Sequence, residues 1–340
     1  MCVRMEPVEV SIKDIAKAAG VSPSTVSRAL SDHPRISDET KGHVRRLARQ
    51  MGYTPSLLAR SLVMQDTATI GVVITSASDP FLAYLVMSIE ETARERGYSV
   101  LLSSSYLDSE RELESVKSFH GRRTRGIIVI GSQIDNGYLE LRDYLSLPIV
   151  LSNCPTYPYS VSCNNLTGAR QAVEHLYQLG HRRIAYIASQ RSQDSNLARL
   201  TGYQQVLADN GISVDQDLIL EGDGTLQGGF QVTQKLIARN QPPTAVFCFN
   251  DMTAIGVLDA LRRNGIRVPD EMSVVGFDDV EFAAYYHPSL TTVRQPTDVM
   301  GQRLVHILLA LIQGQEDVTP ETLPTRLVIR GTTGPPPTLA

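Results

Sequence analysis

No run of eighteen or more apolar residues occurs in the chain, which excludes a membrane-spanning helix. The opening segment, MCVRMEPVEV, is short and broken by charge and proline, so no secretory signal peptide is expected. Cys2 lacks the preceding apolar run that lipidation for export needs. Cysteine is scarce, and the four present (Cys2, Cys154, Cys163 and Cys248) show no metal-ligand spacing. The last three lie in or beside apolar strands, which favours reduced core thiols and a cytoplasmic protein. His175, His181 and His287 form no metal cluster by spacing; surface or cap positions are expected for each. Also missing are a GxSxG elbow, a phosphate-binding glycine loop and a paired-carboxylate constellation, so neither catalysis nor a cofactor is expected.

What is present is an ordinary globular composition, 42% hydrophobic and 20% charged, over 340 residues, enough for two or three domains. The net charge of −4 is unevenly spread. Residues 1–65 hold ten Lys/Arg against six Asp/Glu, a balance of +4, which leaves 22 basic and 30 acidic residues, or −8, for the remainder. A basic head on an acidic body is what phosphate contact at one end requires.

The head carries the most informative stretch, SIKDIAKAAGVSPSTVSR, from Ser11 to Arg28. Ser11 caps a first helix with Asp14 as its reciprocal partner. Ile12, Ile15, Ala16 and Ala19 form the apolar face, and Gly20 permits the tight turn that ends it. Ser22 caps a second helix with Pro23 at its first position. Val21, Val26 and Leu30 face the partner helix, while Ser24, Thr25, Ser27 and Arg28 stay polar, as suits a helix entering a DNA major groove. A third helix is predicted from Ser37 to Met51, stopped by Gly52, with Val44, Leu47 and Ala48 toward the core and Tyr53 over it. Lys41, Arg45, Arg46 and Arg49 make its other side basic. The segment Thr54–Val63 is a short helix candidate with Leu57, Leu58, Ala59 and Leu62 to bury, too short to be stable alone. A symmetry mate and a DNA minor groove are candidate covers; a linker helix docked on the body is the alternative.

From Thr69 onward, apolar strands alternate with helices. TIGVVI, SVLLSS, GIIVIG and LPIVLS form one set; RIAYIA, DLILEG, TAVFCFN and SVVGFD form a second. Amphipathic segments at Pro80–Gly97, Asn165–Gly180, Leu197–Gly211 and Asp251–Gly265 separate them. Such a pattern predicts two similar α/β subdomains, each a doubly wound parallel sheet of about five strands with helices on both faces. Ligands of such sheets bind at the strand C-termini, and a duplicated body suits a ligand gripped between two lobes. The final GTTGPPPTLA is expected to be loosely attached.

These features together resemble the LacI family of bacterial transcription regulators from Ser11 to about Arg330. The specific motifs are SIKDIAKAAGVSPSTVSRAL, MGYTPSLLARSL, GYSVLLSSS, LGHRRIAYIAS, FCFNDMTAIGVLDALRRNGIRVPDEMSVVGFDD and PSLTTVRQP. The resemblance implies a helix-turn-helix head at 11–53 after a flexible 1–10, a hinge helix and linker at 54–67, and an effector-binding and dimerisation body of periplasmic-binding-protein type at 68–330. It divides the body into one subdomain of about 68–163 plus 295–320 and another of about 164–292 plus 321–330, with a flexible tail at 331–340.

By position, the recognition helix would be Pro23–Leu30, with Pro23, Ser24 and Arg28 toward bases. An arginine at that site can grip guanine by two hydrogen bonds. Ser22, Thr25 and Ser27 would make phosphate or mixed contacts, with Ser11 and Lys13 at the backbone edge. Leu62 matches the leucine that family members insert into the minor groove; Ala59 would let two hinge helices approach, and Arg60 would lie near phosphate. Effector contacts are implied at Phe81, Arg199, Asn250 and Asp278, with Asn164, Gln193 and Ser195 also facing the cleft. An arginine, an amide and a carboxylate around an aromatic suit a polyhydroxylated ring. As plain structural roles, Asp251 and Asp278 would cap the helices that follow them. Gly224 stands near the position of a bulky purine-stacking residue of the purine repressor, which counts against a purine. The implied function is a transcriptional repressor of carbohydrate-utilisation genes that acts as a homodimer or tetramer on a palindromic operator under a sugar-like effector. A purine or nucleoside corepressor and a periplasmic-type solute-binding protein are the alternatives.

Overall fold

The computed structural model describes residues 10–53, 67–134, 137–189 and 193–337. It divides into two units, Met1–Thr67 and Ala68–Ala340. In the first unit, helices α1 (Ile12–Ala19), α2 (Pro23–Leu30) and α3 (Asp38–Gln50) enclose Ile15, Ala16, Val26, Ala29, Val44 and Ala48. Leu47 is only half-buried, and Tyr53 packs at the margin. The caps follow from sequence. Ser11 accepts from the Asp14 N–H while the Asp14 carboxylate accepts from the Ser11 N–H at 2.9 Å, a complete capping box. Gly20 ends α1 at φ 67°, where a side chain is strained. Ser22 accepts from the Thr25 N–H at 3.1 Å, and Pro23 opens α2. The predicted helix at Thr54–Val63, with Ala59, Arg60 and Leu62, lies outside the described residues.

The second unit is two α/β lobes. The first contains β1 (Thr69–Ile74), α4 (Pro80–Glu95), β2 (Ser99–Ser104), α5 (Ser109–Gly121), β3 (Ile127–Ile130), α6 (Tyr138–Leu145), β4 (Ile149–Ser152) and β5 (Ser160–Cys163). The second contains α7 (Asn165–Gln178), β6 (Ile184–Ser189), α8 (Gln193–Asp209), β7 (Ile219–Gly222), α9 (Leu226–Ile237), β8 (Ala245–Cys248), α10 (Asp251–Arg263), β9 (Ser273–Asp278), α11 (Glu281–Tyr285) and β10 (Thr291–Arg294). The chain then returns through α12 (Thr297–Ile312), adds β11 (Glu321–Leu323) to the first sheet and ends with β12 (Arg326–Val328) in the second.

Each sheet has six strands rather than five, in the orders β11-β5-β4-β3-β1-β2 and β12-β10-β9-β8-β6-β7. All pairs are parallel except β10 with β12. The extra strands are β11 and β12, short and weakly apolar, so hydropathy did not reveal them. Residues 321–323 pair with β5, so they belong to the first lobe and not to the second as expected. Three segments therefore join the lobes, after Cys163, after Arg294 and after Leu323. Helices α9 and α10 touch backbone to backbone, because a Cβ on Gly229 would lie 2.2 Å from the Thr253 carbonyl oxygen.

The end of the chain corrects two further expectations. Residues 331–337 are not loose: the Val274 N–H donates to the Thr332 carbonyl at 2.8 Å, and the Thr332 hydroxyl donates to the Val274 carbonyl at 2.7 Å. His181 is fully buried rather than at the surface. Its Nε2 lies 2.9 Å from the Gly334 carbonyl oxygen, which only accepts, so Nε2 carries the proton and Nδ1 accepts from the Thr244 hydroxyl at 2.8 Å. Polar residues that read as a loosely attached tail are thus sealing the N-terminal ends of strands in the second sheet. The three cysteines at 154, 163 and 248 are buried free thiols. No helix among the described residues is long and apolar enough to cross a membrane.

Burial holds the His181 imidazole below its ordinary pKa of 6.5, so the unfolded chain binds the proton more readily than the folded one. Stability from this site is complete above that value and declines as pH falls below it. His181→Ala should cost about 2–4 kcal/mol in denaturant unfolding, through a cavity and orphaned polar partners, and should remove this part of the acid sensitivity. Gly20→Ala should cost the head about 1 kcal/mol by forcing a side chain into the left-handed region, read as a lower melting temperature.

Candidate functional site

Two surfaces are candidates for a functional site. On the head, Ser22, Pro23, Ser24 and Arg28 are exposed along α2, and Thr25 and Ser27 are half-buried beside them. Residues four apart share a helix face, so Ser24 and Arg28 stand together, as do Pro23 and Ser27. Ser11 and Lys13 are exposed at the start of α1. Ser22 and Thr25 are tied by a 2.8 Å hydroxyl contact that secures the cap. The basic side of α3 is less cationic than expected, because Lys41 and Arg45 reach Asp32 at 3.2 and 3.0 Å. Arg46 and Arg49 remain exposed.

In the body, Arg199 is 3% exposed and holds the second lobe's strand ends together. Its Nε donates to Asn165 Oδ1 at 2.9 Å, and its Nη1 donates to the Phe249 carbonyl. The guanidinium lies 3.6 Å from the Phe277 ring centroid and 4.5 Å from that of Phe249. Its Nη2 is 3.9 Å from Asp278 Oδ1, an ion pair without a direct hydrogen bond. Burial pulls the guanidinium down from its ordinary range and pushes the Asp278 carboxyl well up; each charge partly offsets the other's displacement. Asp278 has φ 120° and Asp279 φ 59°, so the backbone at the end of β9 is held in a sparsely populated conformation. Asp279 is anchored there by Arg294 at 2.5 Å and Arg330 at 2.6 Å.

Asn250 has two duties. Its Oδ1 accepts from the Thr253 N–H and hydroxyl at 2.9 and 2.7 Å, capping α10, while Nδ2 donates to the Gly224 carbonyl at 3.0 Å. Asp251 therefore does not cap α10, and Asp278 does not cap α11, as both were expected to do. The carboxylate of Asp251 accepts instead from the Val280 N–H at 2.9 Å and the Thr292 hydroxyl at 2.5 Å, bracing β9 against β10. Its burial pushes the pKa up to about 7.

A cavity of about 60 Å³ lies between the lobes, lined on one side by Thr75, Asp79, Phe81, Leu82, Ile130, Gly131 and Asn153, and on the other by Ser195, Arg199, Phe249, Asn250 and Asp278, with Gln295 in the crossing segment. Phe81, Ser195, Arg199, Asn250 and Asp278 thus converge as the sequence led us to expect. Asn164 does not join them. It caps α7 by accepting from the Thr167 N–H at 3.0 Å, and the next residue, Asn165, is the buried amide against Arg199. Gln193 opens α8, and its side chain lies outside the described residues. Sequence reasoning missed Asn165, Asn153, Asp79 and Gln295. The strand-end position of Asn153 in LSN is the one signal that marks it. A second chamber of about 490 Å³ shares Phe81, Asp278 and Gln295 as a wall. Beside it, the Tyr84 hydroxyl donates to Glu281 at 3.0 Å, from one lobe to the other. Among the described residues, no three His, Cys, Asp or Glu side chains are grouped to hold a metal ion.

A three-helix head before a two-lobed body with a cleft at the strand ends defines a class of ligand-binding, DNA-reading regulators, and comparison agrees. Residues 11–56 match the model of bacterial regulatory proteins of the lacI family, and residues 173–333 match the periplasmic binding protein-like domain. The HTH-type transcriptional repressor CytR of Escherichia coli K12 is 34% identical over 98% of this chain and 99% of its own. The HTH-type transcriptional regulator GalS of Salmonella typhimurium is 36% identical over 91% of this chain and 92% of its own. The lac repressor dimer bound to operator and the anti-inducer ONPF superposes with a TM-score of 0.86 at 31% identity, covering 96% of this chain and 99% of that one. The chain belongs to the lacI family of bacterial transcriptional regulators; it is a DNA-binding protein and not an enzyme.

Removing the cation from the buried pair should be severe. Arg199→Met leaves the Asp278 carboxyl without its neighbour and should cost about 3–5 kcal/mol in denaturant unfolding, with the Asp278→Asn double variant losing less than the sum of the two singles. For Asp251, the folded state holds its proton up to about pH 7, against an ordinary value of 3.8, so its contribution falls as pH rises between those values. Asp251→Asn should flatten that segment of the stability profile.

Proposed function

We propose that this regulator represses carbohydrate-utilisation genes and that a sugar-like effector in the interlobe cleft controls its hold on the operator. The observation that carries this reading is the set of hydrogen-bonding valences left in the cleft. Among the described residues, Arg199 Nη2 and the second N–H of Asn250 remain as donors, and the second oxygen of Asp278 remains as an acceptor, beside the Phe81 ring. Hydroxyl groups donate and accept at once, and a sugar ring also offers an apolar face for an aromatic, so a polyol fits this mixture.

The head reads DNA through α2. Arg28 and Ser24 face base edges and Pro23 gives apolar contact, while Ser11, Lys13, Ser22, Thr25 and Ser27 position the helix on phosphates. Ala59, Arg60 and Leu62 would act in the minor groove at the centre of a roughly palindromic operator, spanned by a homodimer. Effector binding changes the angle between lobes and so the separation of the two heads, which is linkage between two sites. The protein works in the cytoplasm, where operator and sugar meet.

Gel mobility with DNA from the gene's own upstream region tests this. A shift that weakens steeply with salt, loses affinity at least tenfold in Arg28→Ala and responds to a sugar is expected. Absence of any shifted band, or a shift insensitive to Arg28 and to every sugar tried, would overturn the reading.

A further inference from the structure

Tyr84 and Glu281 stand 197 positions apart in the chain, yet the Tyr84 hydroxyl donates to a Glu281 carboxylate oxygen at 3.0 Å, from α4 of the first lobe to α11 of the second. Each partner sits three residues beyond a wall of the cleft. Tyr84 follows Phe81 by about one turn on the same face of α4, and Glu281 opens α11 three residues after Asp278 ends β9. Both mounts are firm. The Ser88 hydroxyl of α4 donates to the Asp298 carbonyl at 2.7 Å, tying that helix to the first turn of α12, directly after a crossing segment. In α11 the Ala283 carbonyl accepts from the Leu290 N–H at 2.8 Å, beside β10. Movement of either cleft wall is therefore carried to the bond. The chamber of about 490 Å³ adjoins it, lined by Tyr84 from one lobe and by Asp279 and Val280 from the other, so the lobes can shift here without unpacking a core. A displacement of about 1 Å takes such a pair beyond hydrogen-bonding reach. The bond is exposed, so it contributes modestly and biases an equilibrium rather than locking it.

We propose that Tyr84 and Glu281 form an interlobe latch that favours the lobe angle seen here and so sets operator affinity without an effector bound. The inference rests on the linkage of lobe angle to DNA binding given above, and it names a contact through which that angle is held. Cleft and latch share two rigid elements. A ligand that turns the lobes breaks the bond, and loss of the bond makes the turn easier. Neither side chain lines the 60 Å³ cavity, so the latch opposes such a ligand by a fixed increment without touching it.

Hydrogen–deuterium exchange on the full chain tests the latch with neither ligand nor DNA. Tyr84→Phe removes one hydroxyl and keeps the ring. It should speed amide exchange at least about twofold in the crossing segments at 163–165 and 323–326, where the Leu323 carbonyl holds the Asn164 N–H at 2.9 Å. Glu281→Ala should do the same, and the double variant should exceed neither single, because both remove one bond. Melting temperatures within about 2 °C of the native chain show an intact fold; should one single melt lower, the other carries the test. Unchanged exchange in the crossing segments, acceleration confined to α4 and α11, or a double variant equal to the sum of the singles would overturn the latch. In gel mobility with DNA from the gene's own upstream region, both singles should move half-saturation at least about twofold in one direction. Faster exchange with unmoved DNA binding would overturn the link to operator affinity. If the native chain binds no such DNA, the regulatory reading fails, and the exchange measurement still decides the latch.

Discussion

A buried guanidinium must recover in contacts what it loses in hydration, and the second lobe is organised around meeting most of that demand at Arg199. The four groups that meet it come from three places in the chain: Asn165 at the start of α7, the Phe249 carbonyl after β8, and the consecutive Phe277 and Asp278 at the end of β9. Strand ends distant in sequence are brought to one point, and that point is the floor of the cleft.

The bent backbone at Asp278–Asp279 belongs to the same construction. Asp278, whose carboxyl lies toward Arg199, has φ 120°, and the next residue, at φ 59°, has its side chain clamped by two arginines. Asp251 braces the adjoining strands from below through Val280 and Thr292. Two neighbouring carboxyls are thus placed oppositely. One is pinned by cations outside the cleft, and the other is presented into it.

Legibility varied with the kind of signal. Helix caps in the head were readable because each depends on residues three apart, and Ser11, Gly20 and Ser22 behave as their types require. The parallel sheets were readable from continuous apolar runs such as TIGVVI and AVFC. The placement of Asn250 and Asp278 at the cleft was readable from family likeness and their strand-end positions, and that of Arg199, inside α8, from family likeness alone. The pair Asn164–Asn165 shows where such reading stops: adjacent identical amides take opposite roles, one capping a helix near solvent and one buried, and only backbone direction separates them. Composition misled at the C-terminus, where glycine and proline mimic disorder while Thr332 and Gly334 satisfy buried groups of β9 and His181. Gln295 lies inside the motif PSLTTVRQP but was given no role there, because its partner Asp278 is 17 residues away in the chain and only the fold brings the two together.

The double duty of Asn250 has an evolutionary corollary. Its oxygen caps the start of α10, and Arg199 and Asp278 are equally committed to holding strand ends, so replacing any of the three to suit a different small molecule would damage folding first. Phe81, Leu82 and Ile130 on the facing lobe line the same space and belong to that lobe's core, but as apolar groups they can be exchanged for others of similar volume without leaving a polar partner unpaired. Descendants of this scaffold that acquire new ligands should therefore vary the first lobe's wall and leave the second lobe's floor unchanged, an asymmetry imposed by stability rather than by chemistry.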